Sequence, residues 1–224
     1  MVSSDAAASD SFGYAIAASG NTLLIGAPDK SSRSGAAYTF TNSGGVWEEE
    51  QKLNFSGISS GDLVGAAVAL EGNIAVIGAH KDDKLSKFDC GAVYAFSRSG
   101  GVWTEDQLLF SSDFGSGDFF GFSVAISGDD LIVGASRDRD AGLDSGSAYT
   151  FTRSAGVWAQ SEKLTASNAA EYNFFGSAVS ISNDTSFVGA PLADAPDRYS
   201  GAVYIYSPPV VLPSAAGESW TLFE

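Results

Sequence analysis

The side chains that could do chemistry are concentrated in four segments, 28–34, 80–90, 136–145 and 191–200. Basic residues and aspartates alternate there, although the whole chain has only 12 Lys and Arg against 27 Asp and Glu. Such segments could recognise a charged partner. Alternatively, neighbouring opposite charges could hold the loops in place while contributing little net stability to the fold. The candidate ligand-binding residues are Lys30, Arg33, Lys81, Asp82, Asp83, Arg137, Arg139, Asp194, Asp197 and Arg198.

One of these segments is the best candidate for a metal site. Asp138, Asp140 and Asp144 follow one another at the spacing of oxygen ligands that can surround Ca²⁺. The interleaved arginines could neutralise the same carboxylates without an ion. We therefore expect no cofactor, with calcium as the alternative.

Catalytic chemistry has little support in the sequence. The chain has one His and one Cys, which excludes paired-His metal motifs and Cys-rich zinc sites. No nucleophile is spaced for a triad with His80, and Cys90 has no neighbour that would lower its pKa. Carboxylate-pair chemistry would need two acids in one cleft, and no pair is singled out. We expect that the protein is not an enzyme.

The elements that position these segments come from a fourfold internal repeat. An apolar residue plus Gly recurs at glycines 13, 65, 121 and 176, and Gly-Ala recurs at glycines 26, 78, 134 and 189. A Gly-x-x-Tyr pattern ends at tyrosines 38, 94, 149 and 204, and tryptophans 47, 103 and 158 follow in the same order. Trp220 is a displaced fourth copy. Because these aromatics recur in every unit, we expect them to pack between units, with sugar platforms as the alternative.

Each unit contains four apolar or alternating runs of 6–8 residues bounded by Gly, Ser, Asn and Asp, which is typical of strands and turns. The first two runs are apolar throughout and should be buried, whereas the fourth carries Glu48, Glu49 and Glu50 and should be an outer edge. A repeat of this length with an inner buried strand predicts an all-β protein, a β-propeller of four four-stranded blades. A β-solenoid or a sandwich is the alternative.

Composition narrows the class of protein further. A net charge of −15 without a basic stripe argues against nucleic-acid binding. The apolar runs are far shorter than the ~20 residues of a membrane helix, and Met1 is not followed by a signal-peptide pattern. We therefore expect no nucleic acid partner and no membrane span.

These anchors resemble the FG-GAP repeat family, whose propellers form integrin α-subunit heads and parts of bacterial and algal surface proteins. The match is closest where Phe-Gly is combined with Gly-Ala-Pro, in the first and last units; His80 and Ser136 replace the Pro in the others. The family's calcium loops are missing, because the corresponding connections have shrunk to turns such as Ser19-Gly20-Asn21. The resemblance implies a propeller outside the cell or at its surface that engages a ligand through its loops.

We predict one domain over 1–224 with approximate units 1–55, 56–111, 112–166 and 167–224. The four blades could close into a ring, belong to a larger propeller, or pair with a second copy as a homodimer. Strand parity places the strand 2–3 loops and the 4–1 connectors on one face, which we call the loop face. We expect a non-enzymatic binding or adhesion module that presents the loop face to a protein or glycan. A self-associating structural unit and a lectin using Phe119, Phe122, Tyr172 or Phe174 are the alternatives.

Overall fold

A computed structural model describes residues 1–84, 86–194 and 197–207 of the chain. The described residues form four antiparallel sheets, each built from consecutive strands in sequence order. Among the described residues, the only helical element is a four-residue turn, α1 (Lys30–Arg33), with positive φ at Ser31 and Ser32. The all-β prediction is therefore confirmed, and no helix of the described residues is long and apolar enough to cross a membrane.

The first two sheets have four strands each. Sheet 1 consists of β1 (Ile16–Ser19), β2 (Thr22–Gly26), β3 (Ala37–Ser43) and β4 (Val46–Lys52). Sheet 2 consists of β5 (Ala67–Glu71), β6 (Ile74–Ala79), β7 (Ala92–Ser99) and β8 (Val102–Leu109).

The last two sheets repeat this order. Sheet 3 consists of β9 (Phe120–Ser127), β10 (Asp130–Ala135), β11 (Ser147–Ser154) and β12 (Val157–Leu164). Sheet 4 consists of β13 (Ala178–Ser182), β14 (Thr185–Ala190) and β15 (Ala202–Tyr206). The fourth strand expected around Trp220 lies outside the described residues.

The first hairpin of every sheet closes through a two-residue turn, as between Ser19 and Thr22 or between Ser182 and Thr185. The first turn residue has a left-handed backbone, with φ +56° at Gly20 and +50° at Asn183. Gly and Asn are the residues that adopt this conformation most easily. Turns of this length leave no calcium loop between the first two strands.

The repeated glycines allow consecutive sheets to touch backbone to backbone. A Cβ built on Gly26 would lie 1.9 Å from the carbonyl oxygen of Gly65 in the next sheet. The same contact recurs between Gly134 and Gly176, again at 1.9 Å, and between glycines 78 and 121 at 2.2 Å. A side chain at the Gly of Gly-Ala would therefore push the sheets apart. The close approach of the two backbones explains why the Gly of Gly-Ala and the Gly of the apolar-Gly pair recur together in the sequence.

The repeated aromatic residues fill the space between consecutive sheets. Tyr38, Tyr94 and Tyr149 are completely buried, and Trp103 and Trp158 are nearly so. Each of these tryptophans is held by a glutamine of the preceding sheet. The Trp103 backbone N–H donates to Gln51 Oε1 at 2.9 Å, and Gln51 Nε2 donates to the Trp103 carbonyl at 2.8 Å. These tyrosines and tryptophans thus serve packing, as the repeat predicts.

The sheets follow one another through their first strands. β1 packs against β5, β5 against β9, and β9 against β13. Across the described residues there is no comparable packing of β13 on β1. The arrangement is propeller-like, and closure of the four sheets into a ring is not shown.

Candidate functional site

The loop of sheet 1 buries its lysine instead of presenting it. The Lys30 ammonium donates to Asp10 Oδ2 and to the Asp5 carbonyl oxygen, both at 2.7 Å. The Tyr38 hydroxyl donates to Asp5 Oδ1 at 2.7 Å, and Lys52 pairs with Asp5 Oδ2 at 2.7 Å. Hydrogen bonds from Lys52 and Tyr38 hold the pKa of Asp5 well below its usual range. Burial disfavours the Lys30 cation, but Asp10 and Asp5 outweigh this effect and raise the pKa of Lys30.

The loop of sheet 2 places a carboxylate at the corresponding position. Asp82 and Lys30 each lie four residues after the Gly of Gly-Ala. Asp82 is completely buried, accepts a hydrogen bond from the Tyr94 hydroxyl at 2.7 Å, and pairs with Lys84 at 3.0 Å. Burial and the adjacent Asp82 carboxylate raise the pKa of Tyr94, so its phenol remains a proton donor.

The charged group of sheet 3 combines residues of the strand 2–3 loop, the connector before β9 and strand β12. The Lys163 ammonium lies 2.6 Å from Asp113, 2.9 Å from Asp138 and 2.6 Å from Asp140. The Tyr149 hydroxyl donates to Asp138 at 2.7 Å. Burial opposes ionisation of Asp113, but hydrogen bonds from Lys163 and Tyr149 lower its pKa.

This group bears directly on the calcium hypothesis. Oxygens of Asp113, Asp138 and Asp140 lie within 4.8 Å of one another, which is a spacing that could hold a metal ion. The Lys163 ammonium lies among them and supplies the positive charge. The predicted third ligand, Asp144, is outside the group and lies 3.7 Å from the Arg139 guanidinium. The third carboxylate of the group is therefore Asp113, which the sequence did not single out, and not Asp144.

We call these three groups the buried charge clusters of sheets 1, 2 and 3. Sheet 4 has a neutral version: Ala193 occupies the position of Lys30, and the Tyr204 hydroxyl donates to Asn168. Two predicted binding residues, Lys30 and Asp82, and the predicted metal ligand Asp138 are buried in these clusters. Their charges are neutralised inside the molecule, so these residues are poorly placed to contact a partner.

A second group of charged residues has the opposite character. Lys81 and Arg137 both lie over the ring of Phe119, with Nζ 5.6 Å and Cζ 4.6 Å from its centroid. Phe119 belongs to the connector before β9, whereas Lys81 and Arg137 belong to the loops after β6 and β10. The structure therefore brings the 2–3 loops and a 4–1 connector together, as strand parity predicts.

His80 completes this group. Its ring lies 5.3 Å from the rings of Phe119 and Phe122, and its Nδ1 is buried without a hydrogen-bond partner. Burial, followed by the charges of Lys81, Arg137 and Arg33, lowers the pKa of His80 to about 4. We call His80, Lys81, Phe119, Phe122 and Arg137 the cation–aromatic cluster.

The cation–aromatic cluster lacks acidic partners. Within the described part of the chain, neither Lys81 nor Arg137 makes an ion pair. This is unusual in a chain with more than twice as many acids as bases, and attraction between unlike charges is strongest where no counter-charge is already present. The cluster can therefore attract an anionic group.

The remaining predicted binding residues lie apart in separate loops. Arg33 pairs with Asp29 at 3.3 Å, and Asp83 accepts the backbone N–H of Asp89. In the last loop, Asp194 accepts the Tyr199 N–H, Arg198 lies over the Tyr199 ring, and Asp197 is exposed. Cys90 is buried, and burial raises the pKa of its thiol.

Family comparison agrees with the fold and the repeat. The model of the FG-GAP repeat matches residues 1–40, 47–96, 103–151 and 158–206. The chain belongs to the FG-GAP repeat family. A search of curated proteins finds no match.

Among solved structures, the chain is similar to the crystal structure of TolB from Acinetobacter baumannii. The similarity has a TM-score of 0.47 and 14% sequence identity. It covers 87% of this chain and 43% of the TolB chain, so the present chain spans less than half of that protein. At this score the similarity supports no inference about function.

Proposed function

We propose that this FG-GAP chain is a non-enzymatic binding module that engages an acidic partner through its loop face. The observation that carries the proposal is the cation–aromatic cluster, in which Lys81 and Arg137 share one aromatic ring and, within the described residues, form no ion pair with a carboxylate. Long loops on a repeated scaffold are common recognition sites. An adhesion role outside the cell belongs to the same proposal and rests on the family resemblance.

The partner that fits this cluster offers carboxylate or sulfate groups. Arg137 is exposed, and its planar guanidinium suits two-pronged contacts with such oxygens. Phe119 is only 8% exposed beneath the two cations, which makes it a poor platform for a neutral sugar. The cluster therefore favours an anionic partner, protein or glycan, over a lectin that stacks neutral rings.

The proposal is tested with two anionic probes of different chemistry and one neutral polysaccharide. A sulfated heparin fragment and a poly-glutamate peptide should bind to the immobilised protein, and neutral dextran should not. The double variant Lys81→Gln/Arg137→Gln should weaken binding about tenfold or more, since each charge-assisted contact contributes roughly 1.5–3 kcal/mol. Lys87→Gln/Arg198→Gln makes the same change in net charge elsewhere and serves as the matched control.

Two results would contradict the proposal. One is that neither anionic probe binds at low ionic strength. The other is that both double variants weaken binding equally, which would indicate attraction without a defined site. Binding of one probe class alone would identify the partner as a glycan or a protein.

A further inference from the structure

The two ends of the sheet series expose surfaces that the interior of the series buries. The same contact joins consecutive sheets three times. In each contact we call the surface of the earlier sheet its forward face and the surface of the later sheet its rear face. Sheet 4 has a forward face with no following sheet among the described residues, and sheet 1 has a rear face with no preceding one. We compare these two faces with their internal counterparts.

The forward face of sheet 4 is apolar and open. Val203 lies two residues after Gly201, at the position that Ala37, Val93 and Ala148 occupy in the other sheets. Those three residues are completely buried, whereas Val203 is 69% exposed. Ile205, the next residue on the same face of β15, is 64% exposed. An exposed pair of β-branched residues at an interior-type position marks an interaction surface.

The rear face of sheet 1 is open in the same way. Phe12 occupies the position of Val64, Phe120 and Phe175. Those residues are completely buried, but Phe12 is only partly covered. Ile16 is 67% exposed, although its counterparts Val68, Val124 and Val179 pack into the cores between sheets.

Gly189 also indicates that, among the described residues, no sheet covers the forward face of sheet 4. A Cβ on Gly26, Gly78 or Gly134 would meet a carbonyl oxygen of the following sheet at 1.9–2.2 Å. A Cβ on Gly189 would meet only Ala178, at 3.6 Å, and its backbone does not need positive φ. Nothing within the described residues therefore requires glycine at this position. Gly13, the matching glycine of sheet 1, also has open space around it.

We propose that a second copy of this chain docks head to tail, with the rear face of its sheet 1 on the forward face of sheet 4. The contact repeats the internal one. Gly189 meets the second copy's Gly13, and Gly201 lies beside its Phe12, as Gly35 bridges Val64 and Gly91 bridges Phe120 within one chain. Val203 and Ile205 cover Phe12 and Ile16. Because the two faces differ, each copy retains one face of each kind, and two copies can close into a ring of eight sheets.

Analytical ultracentrifugation across roughly 1–200 µM tests the proposal on the full chain. The wild type should sediment at twice its 23.1 kDa mass or at a higher multiple. Gly189→Ala should sediment as a monomer that keeps its β-sheet circular dichroism spectrum, because among the described residues its methyl group has room in the monomer and would clash with a docked copy.

A second variant keeps the test decisive if Gly189→Ala folds poorly. Val203→Asp places a charge on the forward face and should also give a monomer. Val157→Asp is its matched control, because Val157 is 60% exposed but lies at the hairpin of β12, away from both end faces. A monomeric wild type overturns the proposal, as does an oligomer that survives both Gly189→Ala and Val203→Asp.

Discussion

Arg137 and Asp138 are neighbours in the chain but belong to groups with opposite charge balance. Asp138 is buried beneath Tyr149 and paired with Lys163, so its charge is neutralised inside the molecule. Arg137 lies over Phe119 with no carboxylate partner in the described part of the chain. The loop face thus contains both charges that are neutralised within the fold and charges that have no ion-pair partner among the described residues. From the loop sequence alone both residues were predicted to bind, Arg137 a partner and Asp138 a metal ion.

The largest effect on stability is expected from removing the cation of the sheet 3 cluster. Lys163→Met leaves three carboxylates together without a counter-charge, and the free energy of unfolding should fall by about 3–5 kcal/mol. Urea denaturation at pH 7 measures the change. Lys87→Met is the control, because Lys87 is exposed, and it should change the free energy of unfolding by less than about 0.5 kcal/mol.

The same variant tests what the lysine replaces. With the ammonium gone, Asp113, Asp138 and Asp140 offer a divalent cation closely spaced oxygens. Millimolar Ca²⁺ should raise the melting temperature of Lys163→Met and leave that of the wild type unchanged. Equal shifts in both proteins would contradict the idea that Lys163 occupies the place of a cation.

The cation–aromatic cluster should make stability depend on pH through His80. The folded pKa of about 4 lies below the ordinary value of 6.5, because burial and the charges of Lys81, Arg137 and Arg33 disfavour protonation. Between these values the unfolded chain binds more protons, so stability is lost as pH falls from 6.5 towards 4. The loss reaches up to about 3 kcal/mol. His80→Phe should keep the ring contacts and flatten the stability profile in this window; an unchanged slope would show that other groups cause it.

A smaller effect is expected from the hydroxyl above the sheet 3 cluster. Tyr149→Phe removes the donor to Asp138 and Asp113 while the ring stays buried. The free energy of unfolding should fall by about 1–3 kcal/mol, since the acceptors are buried or partly buried. Tyr172→Phe alters an exposed tyrosine and should have no measurable effect. Comparable losses in both variants would argue against a special role for the repeated hydroxyl.

The smallest effect on stability should come from the residues proposed to bind. Lys81→Gln/Arg137→Gln removes two cation–aromatic contacts but also removes repulsion between neighbouring cations. The free energy of unfolding should change by less than about 1 kcal/mol. A large decrease in the free energy of unfolding, measured by chemical denaturation, would show that Lys81 and Arg137 stabilise the fold as Lys163 does.

The sequence predicted the order of the strands well because their determinants are local and repeated, but the prediction that the first strand of each unit is buried is wrong for β1 and β13, whose residues are exposed or half-buried. Alternating apolar runs define the strands, and the paired glycines define the contact between sheets. The predicted packing of Tyr149 and Trp158 follows from the same regularity. For sheet 4, the predicted fourth strand around Trp220 lies outside the described residues.

The candidate site was predicted less well because its determinants are far apart in sequence. Lys163 and Asp113 are separated by 50 residues and meet only when strand β12 lies beside the connector before β9. Asp144 looked like a ligand because it is close in sequence, but the fold turns it towards Arg139. One signal was available: the tyrosine repeated in every unit, which is buried in the first three, needs an acceptor. The residue eight before each Phe-Gly glycine supplies it in three units, as Asp5, Asp113 and Asn168.

The backbone contact between glycines is the same at all three joints, although the loops beside it differ. A unit that carries Gly-Ala on one side and an apolar-Gly pair on the other therefore meets its neighbours through the same backbone atoms, while loop contacts such as Lys81 on Phe119 vary from joint to joint. Gene duplication could therefore lengthen such a protein by whole units while the loops diverged freely. The different loop chemistry of sheets 1, 2 and 3, built over one unchanging joint, is the outcome expected of that history.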